Sequence, residues 1–225
     1  MTAFVYALAE WRTWRAERRQ VGLLVGVVAA SVSICFDWLG AWCLSVALPA
    51  TVLGLGWSSG SRYSRGQRFR KLLLGSPVQP SAGALGKALA SSAEGCFSVL
   101  VLAPPAILSL ALWQRGPTAA LLLLLSLLIA FLLSAAAGFL ASLLFGDGDR
   151  LLGPYFFAAW IPATSLVPAA APFSPFIQAW AALGGADPGP GILFVGLAVE
   201  ALAAAALFAA GSKAIASARR RDARD

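Results

Sequence analysis

The chain has 225 residues, of which 59% are hydrophobic and 12% charged, and it carries a formal net charge of +7. A soluble domain carries about a quarter charged residues, so this composition excludes an ordinary water-soluble fold and points to an all-α polytopic membrane protein. There is no histidine, which removes His-based metal sites, Ser-His and Cys-His catalytic pairs and His-ligated haem from the chain's own chemistry.

The first segment, FVYALAEWRTWRAERR, places Phe4, Leu8, Trp11 and Trp14 at helical spacing, with Arg12, Arg15, Arg18 and Arg19 largely elsewhere on the wheel. That pattern predicts a helix lying in the membrane interface over residues 1–20, with its tryptophans at headgroup depth. No cleavable signal peptide is expected, because the basic residues precede a long apolar run without a small-residue cleavage site. Backbone groups in lipid are satisfied within a helix, and about 20 apolar residues cross a bilayer. On that basis six spans are predicted, near 21–38, 41–57, 84–113, 118–145, 151–167 and 191–215. Together they form one transmembrane domain over 1–225, with a six-span bundle at 21–215 and a basic tail at 216–225. Pro104 and Pro105 are expected to kink the third span.

Sixteen of the seventeen basic residues fall at the N-terminal segment, the connections after spans two and four, the start of span three and the C-terminal tail; only Arg115 falls on the opposite side. The excess of Lys and Arg on cytoplasmic flanks predicts that both termini are cytoplasmic. The basic residues hug the span ends, so the positive charge is read as an attraction to anionic lipid heads rather than to nucleic acid.

Two connections stand out. In SRYSRGQRFRKLLLGSPVQPSAGALGK, Phe69, Leu72 and Leu73 fall at i, i+3 and i+4, predicting a short surface helix with one apolar face, suited to a groove on a partner. Gly75, Pro77 and Pro80 end it. In WIPATSLVPAAAPFSPFIQAW, four prolines interrupt an apolar run. Dense prolines break a span, and apolar content argues against a solvated loop. A broken helix that dips back into the membrane between spans five and six is expected.

Gly83, Gly86 and Lys87 superficially resemble a phosphate-binding loop. The pattern is G-x-x-G-K-A, two residues short, with Ala88 where Mg²⁺ needs a hydroxyl and no strand before it. A nucleotide site therefore fails on spacing and chemistry, and Lys87 is expected to snorkel at the start of span three. Cys35, Cys43 and Cys96 lack C-x-x-C spacing and read as small packing residues; Cys35 and Cys43 flank one short loop that leaves room for a disulfide. Gly146, Asp147, Gly148 and Asp149 read as a solvated turn rather than a calcium loop.

Glu94 and Glu200 are the acidic residues inside apolar runs. A charge at a helix centre costs about 2.5–3.5 kcal/mol on insertion scales, so each demands a partner, water or protonation. Both are candidates for lining a substrate path or for a helix-locking hydrogen bond. Lys87 and Glu94 lie seven residues apart and so share a helix face. Gly54, Gly56, Gly60 and the run Ser134 to Gly138 allow close helix packing, with a dimer seam as the sharper reading.

The segment RGQRFRKLLLGSPVQPSAGALGKAL resembles the signature of ABC exporter membrane subunits of the type-2 permease family. That family has G-x-x-x-x-L-L-x-[ST]-P-V after span two and Leu-Gly-Lys at the start of span three. This chain supplies Gly66, Leu72, Leu73, Ser76, Pro77 and Val78, then Leu85, Gly86 and Lys87. It departs from the family in having Arg62 and Arg65 where acidic residues are usual. Length, loop economy and the LAPPAIL region are also similar to the haem exporter B subunit. The resemblance implies an N-terminal elbow helix, a cytoplasmic coupling helix between spans two and three, and a pathway formed by two six-span units. It further implies docking of separate nucleotide-binding ATPase subunits on Arg65, Arg68, Phe69, Arg70, Leu72, Leu73, Ser76 and Pro77. ATP and Mg would be bound by those partner subunits, with no cofactor or catalytic residue in this chain. The alternative class is a six-span membrane scaffold or assembly factor without an ATPase partner. An intramembrane protease is disfavoured by the lack of His and of paired intramembrane Asp.

Overall fold

The computed structural model describes residues 43–61, 79–145, 172–184 and 190–222, together with Ala7, Val27, Val28, Ser31, Gly40, Ala41, Gly153, Phe156 and Phe157. Every secondary-structure element among the described residues is helical. A π-helical turn, Cys43–Ala47, leads into α1, Leu48–Gly60. Helix α2 is Pro80–Leu112, α3 is Pro117–Phe145, α4 is Pro175–Ala182 and α5 is Pro190–Asp222.

Among the described residues, four helices are long and apolar enough to cross a membrane: Cys43–Gly60, Pro80–Leu112, Pro117–Phe145 and Gly191–Arg220. The protein is therefore an integral membrane protein, all-α among its described residues. The predicted spans at 21–38 and 151–167, the interfacial segment at 1–20, the helix expected around 65–74 and the turn at Gly146–Asp149 lie outside the described residues, apart from the isolated positions named above.

The boundaries follow local chemistry. Pro80 opens α2, where a residue without an N–H costs nothing; the helix therefore starts four residues before the predicted Ala84. Pro104 and Pro105 sit within α2 without ending it, and the Ser109 hydroxyl donates to the Pro105 carbonyl at 2.9 Å. Helix α3 matches its predicted span to within a residue. Helix α5 continues past the expected end at 215, so most of the basic tail is a helical extension through Asp222.

Helix α3 is the hub, packing against α1, α2, α4 and α5. Small residues set how closely α1 approaches it. A Cβ on Gly56 would strike Ser134 Oγ and the Phe131 carbonyl, and one on Gly60 would strike the Ala135 carbonyl. Gly138 faces the Trp57 carbonyl in return. The small-residue run is thus consumed within the chain, which corrects its reading as a dimer seam; Gly54 alone among these α1 glycines has open space beside it. Leu123, Leu127, Phe131 and Phe139 of α3 form the spine of the core, joined by Leu48 and Val52 of α1 and Leu102 of α2. On the α5 side, Phe139 and Phe208 rings meet at 6.2 Å, and the Phe139 ring covers Gly211. Trp57 stacks on Phe156 at 5.6 Å and meets Phe157 edge-on at 5.7 Å.

Candidate functional site

Two buried polar sets and one cleft carry the chemistry of the described residues. The first set joins α1 to α2. Helix α1 stops at Gly60, inside the bundle, so its last carbonyls lack intrahelical donors. Lys87, 0% exposed, donates its ammonium to the Ser59 carbonyl at 2.7 Å. A cation over a helix C-terminus both satisfies an orphan carbonyl and meets the negative end of the dipole. The Ser59 hydroxyl donates to Glu94 Oε2 at 2.6 Å, and Ser59 and Glu94 are themselves fully buried. Lys87 and Glu94 do share a helix face, as their spacing requires, and both reach the same serine. Lys87 does not snorkel to the interface. The helix begins earlier than expected, which places Lys87 two turns inside it against the end of α1.

The second set joins the proline-rich segment to α5. Ser174 precedes Pro175 and α4, whose eight residues are far too few to span a bilayer. Gln178 Nε2 donates both to the Pro172 carbonyl at 2.8 Å and to Glu200 Oε2 at 3.0 Å. One turn before Glu200, Gly196 lies directly against the Pro172 carbonyl, where a Cβ could not fit. One face of α5 is therefore shaped to seat residues 172–178. Gln178 is 0% and Glu200 3% exposed. Glu94 and Glu200 belong to separate sets, one on the α1–α2 seam and one on the α4–α5 seam.

The cleft, of about 540 Å³, lies between Ala41, the α2–α3 turn at Trp113–Arg115 and the end of α4 at Trp180–Gly184. The Arg115 guanidinium covers Gly184, whose φ of +76° suits glycine. Three connections that the sequence assigns to one side of the membrane thus meet at one end of the bundle.

The coupling residues Arg65, Arg68, Phe69, Arg70, Leu72, Leu73, Ser76 and Pro77 lie outside the described residues. Cys43 and Cys96 are free thiols, and no cluster of three metal-ligating side chains occurs among the described residues. Sequence reasoning missed Ser59 and Gln178. Gln178 had a signal, as the one amide in the apolar stretch PFIQAWAA; Ser59 had none beside Ser58 and Ser61. Comparison of the chain with protein-family models, curated proteins and solved structures finds no match.

Proposed function

We propose that the chain is the membrane-spanning permease subunit of an ATP-driven ABC exporter, working as a dimer with a second six-span copy and with separate nucleotide-binding subunits. In this reading the runs at 21–38 and 151–167 complete six spans, and residues 1–20 form the elbow helix. Residues 65–74 form the coupling helix, with Ser76 and Pro77 as the bend. Both termini lie on the cytoplasmic side of a bacterial-type inner membrane, and the segment ending in α4 re-enters the opposite leaflet. ATP and Mg are held by the partner ATPases.

The observation that carries the reading is where the α1–α2 bonds sit. The residues bearing the permease-like motif connect the C-terminal end of α1 to the N-terminal end of α2. Ser59, Lys87 and Glu94 tie those two helices by buried bonds. A push on the connection therefore moves two spans together instead of only bending a loop, as a lever driven by a partner ATPase requires.

The test is co-purification from detergent. A P-loop ATPase should accompany the wild-type chain, and combined charge reversal at Arg65, Arg68 and Arg70 should release it. Association with another membrane protein, with no ATPase and no effect of the charge reversal, would favour the scaffold reading.

A further inference from the structure

A second cavity lies on the outer surface of the bundle. It is a groove of about 580 Å³ between α2 and α5, with walls that include Ser81 and Ser92 on one side and Ala201, Ala205 and Ser212 on the other, and with Leu132 of α3 among its lining residues. Helices α2 and α5 run antiparallel past it, so Ser81 and Ser212 mark one end and Ser92 and Ala201 the other. Each wall covers eleven residue steps, about 16 Å of helix, close to half of a hydrocarbon core about 30 Å thick. The groove is one leaflet long.

Its two ends differ in charge. The Ser81 end adjoins the N-terminus of α2 at Pro80, the positive end of a 33-residue helix dipole. On α5, exposed Lys213 lies one turn beyond Ala209 at the edge of the groove, and exposed Arg220 lies two turns beyond Lys213. No basic residue lines the groove itself; the asymmetry lies in the turns beyond it, since α2 after Ser92 and α5 before Ala201 carry no Lys or Arg. A slot that is apolar for one leaflet's depth, with basic side chains just beyond one end, matches an anionic amphiphile.

We propose that the α2–α5 groove is a binding site for one acyl chain of an anionic phospholipid, with the headgroup held at the Ser81–Ser212 end by Lys213, Arg220 and the α2 N-terminus. The site does not depend on an ATPase partner, so it stands or falls separately from the exporter reading.

The test uses the full chain in phosphatidylcholine vesicles doped with a photoactivatable-acyl phosphatidylglycerol or with the same photoactivatable chain on phosphatidylcholine. Cross-linked peptides should map to residues 81–92 and 201–212, with the glycerol lipid preferred by about fivefold or more, the factor expected for one basic side chain near a headgroup. Lys213→Gln with Arg220→Gln should reduce the preference towards unity while leaving chain labelling in place. Ala205→Phe should reduce labelling by both lipids. Equal labelling by the two lipids in the wild-type chain, or labelling spread evenly around the bundle, would overturn the proposal. So would efficient disulfide dimerisation of Ala205→Cys in the vesicles with the groove unlabelled, which would make the groove a seam between copies.

Discussion

The Ser59 hydroxyl donates to Glu94 Oε2 at 2.6 Å across the α1–α2 seam, while the carbonyl of the same residue takes the Lys87 ammonium at 2.7 Å. One small residue thus joins a cation and a carboxylate that lie two turns apart on the neighbouring helix. The arrangement is economical in physical terms. An intramembrane Lys and an intramembrane Glu are each costly alone, and a helix ending inside a bundle leaves bare carbonyls. Placing all three at one point lets each offset the burial of the others.

Ser59→Ala should lower stability by about 1–3 kcal/mol, the cost of removing a donor from a buried acceptor. Lys87→Ala and Glu94→Ala should each cost more, because a buried charge loses its compensation. The double variant should be less destabilised than the two single losses added together, since both residues act through Ser59. Thermal unfolding of the detergent-solubilised protein measures all four. Additive losses would show that Lys87 and Glu94 act independently.

The α1 glycines separate packing from helix propensity. Gly56→Ala and Gly60→Ala put a methyl group into the backbone of α3 and should cost about 1–3 kcal/mol. Gly54→Ala meets nothing within 4 Å and should gain up to about 1 kcal/mol from helix propensity alone. Opposite signs at positions two residues apart, read by the same thermal melts, are the expected result. Equal effects at Gly54 and Gly56 would contradict the close α1–α3 approach.

Much of the fold was legible because a bilayer imposes a simple rule: long apolar runs become helices. The runs at 118–145 and 191–215 were found nearly whole for that reason. Partners across a seam were not legible. Lys87 reads as interfacial when its span is taken to begin at Ala84; an earlier start and a serine 28 residues upstream turn it inward, and neither is encoded in local pattern. Glu200 was legible as a residue in need of a partner, since a carboxylate in an apolar run has few ways to be tolerated. That the partner is Gln178 depends on how a proline-broken segment folds back onto α5, which propensity and periodicity do not determine.

Gln178→Leu should detach residues 172–178 from α5. It strips a donor from the Pro172 carbonyl and from Glu200 Oε2, at about 1–3 kcal/mol for each buried acceptor left bare. A cysteine introduced at Phe176 in a cysteine-free background should become more reactive to a membrane-impermeant thiol reagent in the Gln178→Leu protein. Glu200→Gln keeps a polar acceptor for Gln178 and should be milder than Glu200→Leu. An unchanged labelling rate would mean that the seat is held by Gly196 and apolar packing alone.

The turn between α2 and α3 carries a different kind of strain. Gln114 has a φ of 57°, a left-handed backbone that costs a non-glycine residue about 1–2 kcal/mol. Gln114→Gly should therefore be neutral or stabilising by up to about 1 kcal/mol, the relief being partly offset by the greater freedom of glycine in the unfolded chain. Gly184, with φ of +76°, lies under the Arg115 guanidinium. Gly184→Ala adds both backbone strain and a contact with the arginine, and should destabilise by more than the Gln114 change stabilises. If this junction fixes the 172–184 segment against the α2–α3 turn, Gly184→Ala should also raise the reactivity of a cysteine placed at Leu183, which is buried, towards the same thiol reagent. A fall in melting temperature without that change in reactivity would confine the effect to local strain and exclude a role in holding the two connections together.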